Sequence, residues 1–334
     1  MNALRWLLKP LSIVHGGVIR GRKLYYDRVP GAVRRAGIPV ISVGNITVGG
    51  TGKTPMVIEI VRRLRAIGRR PAILTRGYRA RLGETADEVL EFQEALPVVP
   101  VVVDPDRVAG ADAAQAAHGA DCAVLDDGFQ HRRLARDLDI VLIDALNPWG
   151  GGALLPAGRL REPPSSLRRA DLLVLTRANQ VAPAELERLK AALRRYAGNK
   201  PLVLAAAEAE TLIYRNGRRA APTELAARRV LAVCGLGNPQ TFLKLAASLV
   251  GANCEARVFR DHHRYSVSDA DALVAAARRC RAELVVTTRK DWVKLAPLWP
   301  DADVALARLD LRLALAGAVA ELEARLRQAV EKHP

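Results

Sequence analysis

Residues 38–55, IPVISVGNITVGGTGKTP, run an apolar, β-branched segment straight into a glycine-rich turn that ends in Gly52-Lys53-Thr54. Ile38, Val40, Ile41 and Val43 read as a buried parallel strand, and Met56, Val57, Ile60, Val61 and Leu64 as one face of a helix. Between them, Gly49, Gly50 and Gly52 allow the backbone to turn its N–H groups onto an anion, and the helix N-terminus adds its partial positive charge. The stretch therefore predicts a phosphate cradle formed by Thr47, Val48, Gly49, Gly50, Thr51, Gly52, Lys53 and Thr54. In it Lys53 reaches the terminal phosphates and Thr54 ligates Mg²⁺. Thr47 stands where the motif has its first glycine.

With 334 residues, the chain is longer than one core commonly supports, and two domains of about 150 residues each are expected. The four cysteines (Cys122, Cys234, Cys254, Cys280) are scattered and read as thiols in a reducing compartment. A net charge of +16 suits nucleic acid or an anionic membrane surface. Aromatic residues are only 4% of the chain and no basic stretch is interleaved with stacking rings, which argues against nucleic acid. Runs such as Arg62-Arg63-Leu64-Arg65 also fit a solvated helix face.

Residues 1–29 place Leu4, Leu7, Leu8, Leu11 and Val14 on helical spacing, flanked by Arg5, Lys9, Arg20, Arg22 and Lys23. This is a basic amphipathic segment, too interrupted to span a bilayer. It lies on a membrane interface or packs on the first domain. Strands follow at Pro71–Tyr78, Val98–Val103, Asp121 onward, Ile140–Ala145 and Ala170–Thr176, with helices at Arg107–Ala117 and Pro183–Tyr196. An acidic patch covers Glu84–Leu90 and a long Gly/Pro/Arg-rich loop Asn147–Arg169. This alternation predicts an α/β fold with a mostly parallel sheet, ligands sitting at the C-terminal strand ends. Asn216-Gly217 predicts a hairpin over Thr211–Ala220, where the domain junction is placed. The rhythm then repeats: strand Val230–Gly235, helix Pro239–Val250, strand Cys254–Arg260, helix Val267–Arg281, strand Glu283–Thr288, and a final helix from Leu315 to Ala329.

Asp126 and Asp127 end an apolar strand beyond the cradle, where a carboxylate holding Mg²⁺ belongs. Either could be the ligand. Gln130 and His131 continue that turn, to reach the phosphates or to cap it. Asp261-His262-His263 ends a strand of the second domain. Thr288-Arg289-Lys290-Asp291 echoes the base-reading T-K-x-D loop of GTP-binding proteins, so a P-loop GTPase of the regulatory or metallochaperone type is the alternative function.

Taken together, the cradle, RGY at 76–78, DDGFQH at 126–131, LPAGRLREP at 155–163, DHHRY at 261–265 and TRKDWVKL at 288–295 resemble the tetraacyldisaccharide 4'-kinase family. The resemblance implies an ATP- and Mg²⁺-dependent kinase acting on the 4'-hydroxyl of a tetraacylated glucosamine disaccharide 1-phosphate. It implies peripheral placement at the cytoplasmic face of the inner membrane. The partners expected are this lipid-linked substrate and the membrane surface, with neither nucleic acid nor an obligate protein partner. A P-loop NTPase-type domain (30–205), a β-hairpin linker (206–222) and a smaller α/β/α domain (223–334) would follow the N-terminal segment (1–29). Ala86-Asp87-Glu88-Val89 aligns with the family's acidic G-D-E-P motif, so Asp87 matches its catalytic carboxylate and His262 the histidine that works with it, beside Lys53. Asp87 would then belong to the first domain and His262 to the second, the two meeting on closure. Arg159 and Arg161 are candidates for the substrate's 1-phosphate.

Overall fold

A computed structural model describes residues 8–77, 86–226 and 228–331. Tyr78, Glu84, Thr85 and residues 1–7, to which parts of the reading above refer, lie outside the described residues. The chain divides into two compact units, one comprising Met1–Arg79, Leu96–Ala206 and Leu313–Pro334, the other Ala80–Ala95 and Ala207–Arg312.

In the first unit, β1 (Val40–Asn45), β2 (Pro71–Thr75), β3 (Val101–Val103), β4 (Cys122–Asp126), β5 (Leu138–Asp144), β6 (Leu172–Thr176) and the start of β7 (Leu202–Tyr214) form a parallel sheet. The order is β3-β2-β4-β1-β5-β6-β7. β1, β4, β5 and β6 are buried along their whole length, the expected signature of strands covered on both faces. Helices α2 (Lys53–Ala66), α4 (Arg107–His118), α5 (Pro183–Ala197) and α9 (Val319–Glu331), numbered along the chain, bury their apolar sides, α2 through Met56, Val57, Ile60, Val61 and Leu64. Because β4 and β5 flank β1 on opposite sides, the turn after β1 opens where the sheet's connections diverge, which is the usual ligand position of such sheets.

Helix α1 (Lys9–Arg28) lies on this unit through polar contacts. Ser12 Oγ donates to Leu154 O at 2.9 Å and accepts from Ala157 N at 3.1 Å, while Arg22 donates to Gln130 O at 3.1 Å. None of its residues is buried. Leu11, Val14 and Val18 share one stripe, 55%, 65% and 56% exposed. The helix thus inverts the common arrangement, in which the apolar stripe faces the protein.

The second unit has its own parallel strands, β9 (Val230–Cys234), β10 (Cys254–Val258), β11 (Leu284–Thr287) and the first part of β12 (Ala305–Gly317), ordered β10-β9-β11-β12. β8 (Arg219–Ala220) pairs antiparallel with β7, Leu212 opposite Ala220, around the expected Asn216-Gly217 turn. Helices α3 (Asp87–Ala95), α6 (Pro239–Val250), α7 (Val267–Arg279) and α8 (Arg289–Leu295) complete it. α7 begins with a reciprocal capping box between Ser266 and Asp269.

The division differs from the expected 30–205 and 223–334. Residues 86–95 group with the second unit, because α3 buries Val89 and Phe92 and Glu94 pairs with Arg308 at 2.5 Å. The C-terminal helix groups with the first unit: Arg63 pairs with Glu323 at 2.6 Å, and Leu322, Leu326 and Val330 are buried. Residues 305–317, where the last helix was expected to begin, form β12 instead.

Candidate active site

The turn after β1 has the geometry its glycines suggested. Gly49 and Gly52 adopt φ values of 118° and 86°, which only glycine takes at little cost. A Cβ at Gly49 or Gly50 would meet nothing within 4 Å, so no side chain crowds these two positions. Asn45 Nδ2 donates to Thr51 Oγ1 at 2.7 Å, Gln130 Nε2 donates to Asn45 O at 2.8 Å, and Val48 N donates to Arg159 O at 2.8 Å. Arg177, at φ 58°, donates to Gly50 O and pairs with Asp144 at 3.2 Å. Neither Asn45 nor Arg177 stood out in the sequence as a brace of this loop.

Asp126 ends β4 buried, and Asp127 follows it at φ 52°. Lys53 Nζ stands 3.5 Å from Asp127 Oδ1 and Arg161 2.6 Å from Asp127 Oδ2. Burial works against ionisation of Asp127, but Lys53 and Arg161 outweigh it and hold the carboxyl below its ordinary range. Arg161, expected to meet a substrate phosphate, is thus a partner of Asp127 and Gln130. Gln130 and His131 brace the turn: His131 N donates to Gly128 O at 2.8 Å. The His131 ring is pushed down to about 4 by burial and by Arg107 and Arg136, and is neutral at physiological pH. The Asp127 carboxylate beside Lys53 is the kind of oxygen donor that suits Mg²⁺, a hard cation that takes one or two protein ligands alongside phosphates and water.

The second unit contains the other predicted pair. Asp87, the first residue of α3, accepts at Oδ2 from His262 Nδ1 at 2.9 Å and from Lys294 Nζ at 3.0 Å. The two residues were expected in different domains, meeting on closure. They occupy one unit and are already joined, because α3 packs on α8 in that unit. Burial opposes the Asp87 charge, yet the His262 and Lys294 donors hold the carboxyl at about 2. His262 sits at φ 60°. Of the four non-glycine residues with positive φ among the described residues, Asp127, Arg177 and His262 belong to these two clusters, the pattern of backbone strain held at functional positions.

His263 is turned away from this pair. It stacks on Phe259, ring centroids 4.5 Å apart, and meets Asp269 at 3.3 Å. Nor is the T-R-K-D run a base-reading loop. Asp291, 0% exposed, accepts from Gly235 N at 2.9 Å, Thr288 Oγ1 at 2.7 Å and Tyr265 OH at 3.1 Å, and is committed to the interior. Thr288 caps α8 by accepting from Asp291 N.

A profile of the family described as tetraacyldisaccharide-1-P 4'-kinase matches residues 4–331. A tetraacyldisaccharide 4'-kinase of Anaeromyxobacter dehalogenans is 43% identical over 83% of this chain and 77% of its own length. One from Syntrophus aciditrophicus is 39% identical over 87% and 84%. The crystal structure of LpxK from Aquifex aeolicus in complex with ATP superposes with a TM-score of 0.75 at 29% identity, covering 98% of this chain and 99% of that one. The profile covers nearly all of the sequence and the relatives carry the same family name: the chain belongs to the tetraacyldisaccharide-1-P 4'-kinase family.

Proposed function

We propose that this protein transfers the terminal phosphoryl group of ATP to the 4'-hydroxyl of a tetraacylated glucosamine disaccharide 1-phosphate. Phosphoryl transfer demands in-line positioning and neutralisation of the charge spreading over the transferred group. The amides of residues 47–54 and the Lys53 ammonium supply both. Thr54, with Asp126 or Asp127, would hold Mg²⁺, which draws charge from the phosphate oxygens when bound. The sugar hydroxyl attacks the γ-phosphorus, its proton passes to Asp87, and ADP leaves with the former bridging oxygen. His262 orients the Asp87 carboxylate through its Nδ1 hydrogen bond.

The observation that carries this reading is the Asp87–His262 hydrogen bond, made by two residues far apart in sequence in a chain that also holds an open turn ending in Lys53. The substrate's lipid nature accounts for α1: a basic helix with outward apolar residues suits the cytoplasmic face of the inner membrane, on which the protein would sit peripherally. Among the described residues no helix is long and apolar enough to cross a membrane. The test is incubation of purified protein with labelled ATP, Mg²⁺ and the disaccharide monophosphate. A labelled bisphosphate is expected, and ATP consumption without labelled lipid would refute the assignment.

A further inference from the structure

Two lysines one turn apart on α8 each hold one member of the Asp87–His262 pair. Lys294 Nζ donates to Asp87 Oδ2 at 3.0 Å, the oxygen that also meets His262 Nδ1. Lys290 Nζ lies 2.7 Å from Asp261 Oδ1 and 3.5 Å from His262 Nε2. An ammonium group can only donate, so the Nε2 atom it faces is an acceptor and the proton of the neutral ring sits on Nδ1. α8 is in turn fixed in place. Asp291 ties it to Gly235 and Tyr265, Arg289 pairs with Asp310 at 2.5 Å, and the Lys294 ammonium lies 5.9 Å from the Tyr265 ring centroid.

We propose that Lys294 is a positioning residue for phosphoryl transfer, turning Asp87 so that Oδ1 meets the acceptor hydroxyl, while Lys290, facing Nε2, fixes the His262 tautomer with its proton on Nδ1. The proposal rests on Asp87 being the group that takes the hydroxyl proton. Among the described residues both hydrogen bonds to the Asp87 side chain use Oδ2, which leaves Oδ1 to the substrate. Burial of Asp87 favours its neutral form, and the His262 and Lys294 donors reverse that preference. Asp261 lies 3.8 Å from His262 Nε2, and one turn along α3 the charges around Glu91 are Glu88, Asp291, Arg289 and Lys290. None of these supplies Asp87 with the donor that Lys294 does.

The experiment compares wild type, Lys294→Gln, Lys294→Arg and Asp87→Asn in kcat–pH profiles with KM for ATP. Lys294→Gln should lower kcat ten- to a hundredfold, as a rough expectation for a misoriented proton acceptor. It should also raise the acid limb by about 1 to 3 pH units, the shift one close opposite charge produces, and leave KM for ATP within about twofold. Lys294→Arg should restore both the rate and the limb. A Lys294→Gln enzyme with the wild-type rate and limb, or a slow one whose limb is unmoved and which Arg does not rescue, overturns the proposal. Asp87→Asn separates the two levels: an active Asp87→Asn enzyme refutes Asp87 as proton acceptor, whereas an inactive one beside a normal Lys294→Gln refutes the role of Lys294 alone. One measurement needs no variant. Imidazole ¹⁵N NMR of the wild-type protein at pH 8 should show His262 as the Nδ1–H tautomer, and the Nε2–H tautomer would overturn the assignment to Lys290.

Discussion

Arg177, at the end of β6, donates a hydrogen bond to the carbonyl of Gly50 in the phosphate turn while its guanidinium pairs with the buried Asp144 at 3.2 Å. The side chain therefore links the shape of the turn after β1 to the end of β5, the neighbouring strand in the sheet. Arg177→Met should weaken ATP binding about ten- to a hundredfold, the weight of a charged hydrogen bond. It should also destabilise the protein by about 3–5 kcal/mol, because Asp144 loses its partner in the interior. Adding Asp144→Asn should recover much of the stability and none of the affinity. Nucleotide titrations and thermal melts of the single and double variants check both effects, and recovery of affinity in the double variant would deny the turn its brace.

Gly52 and Gly50 sit two residues apart in the same turn under different constraints. Gly52 has φ 86°, with Thr176 Cγ2 3.6 Å from the place of a Cβ, so Gly52→Ala carries backbone strain of about 1–2 kcal/mol without a clash. Gly50 has an ordinary φ and open space around it. Without nucleotide, Gly52→Ala should lower the melting temperature and Gly50→Ala should leave it unchanged. Equal melting temperatures would mean that the left-handed residue carries no strain.

How much of this was legible depended on whether the signal was local. The strand–turn–helix at 38–66 was readable because periodicity, glycines and Lys53 agree within one short window. β7 was only half seen, since Ala205-Ala206-Ala207 and Ala209 favour a helix by propensity and only sheet pairing overrides it. β12 did carry a period-2 signal from Leu309 to Leu315, but the alanines within it suited a helix as well. The Thr288-x-x-Asp291 spacing is a helix N-cap signature, and it competed with a base-loop reading that shares the same letters. What sequence could not supply was partnership. Lys294 meeting Asp87 and Arg161 meeting Asp127 are contacts between remote segments, and their side chains alone suggest solvated surface.

Glu91 lies one turn after Asp87 on α3. Burial, with Glu88 and Asp291 adding to it against Arg289 and Lys290, pushes its carboxyl up to about 7. An unfolded glutamate titrates near 4.3. Between these values the unfolded chain releases its proton while the folded one keeps it, so stability present at low pH is lost as pH rises toward 7. Wild type should lose about 1–3 kcal/mol between pH 4.5 and 8 from this group, and Glu91→Gln should remove that slope. Urea unfolding at the two pH values measures it. An unchanged slope in Glu91→Gln would assign the pH dependence to other carboxylates.

The outward stripe of α1 separates fold from membrane contact, because the helix is held on the protein by Ser12, Arg22 and Asp27, the last paired with Arg132 at 2.5 Å, while Leu11, Val14 and Val18 face away. Val14→Asp with Val18→Asp removes two side chains that are 65% and 56% exposed. Stability should therefore stay within about 0.5 kcal/mol of wild type, as for other surface changes. On a bilayer the same valines would each bury apolar area worth about 1.5–3 kcal/mol, and each new aspartate would face anionic lipid. Partition onto vesicles containing anionic lipid should fall at least about tenfold. Activity toward the lipid disaccharide in those vesicles should fall with it, while activity toward a detergent-dispersed substrate holds. Vesicle flotation and kinase assays of the double variant read these out, and undiminished flotation would mean that the exposed stripe has no part in reaching the membrane.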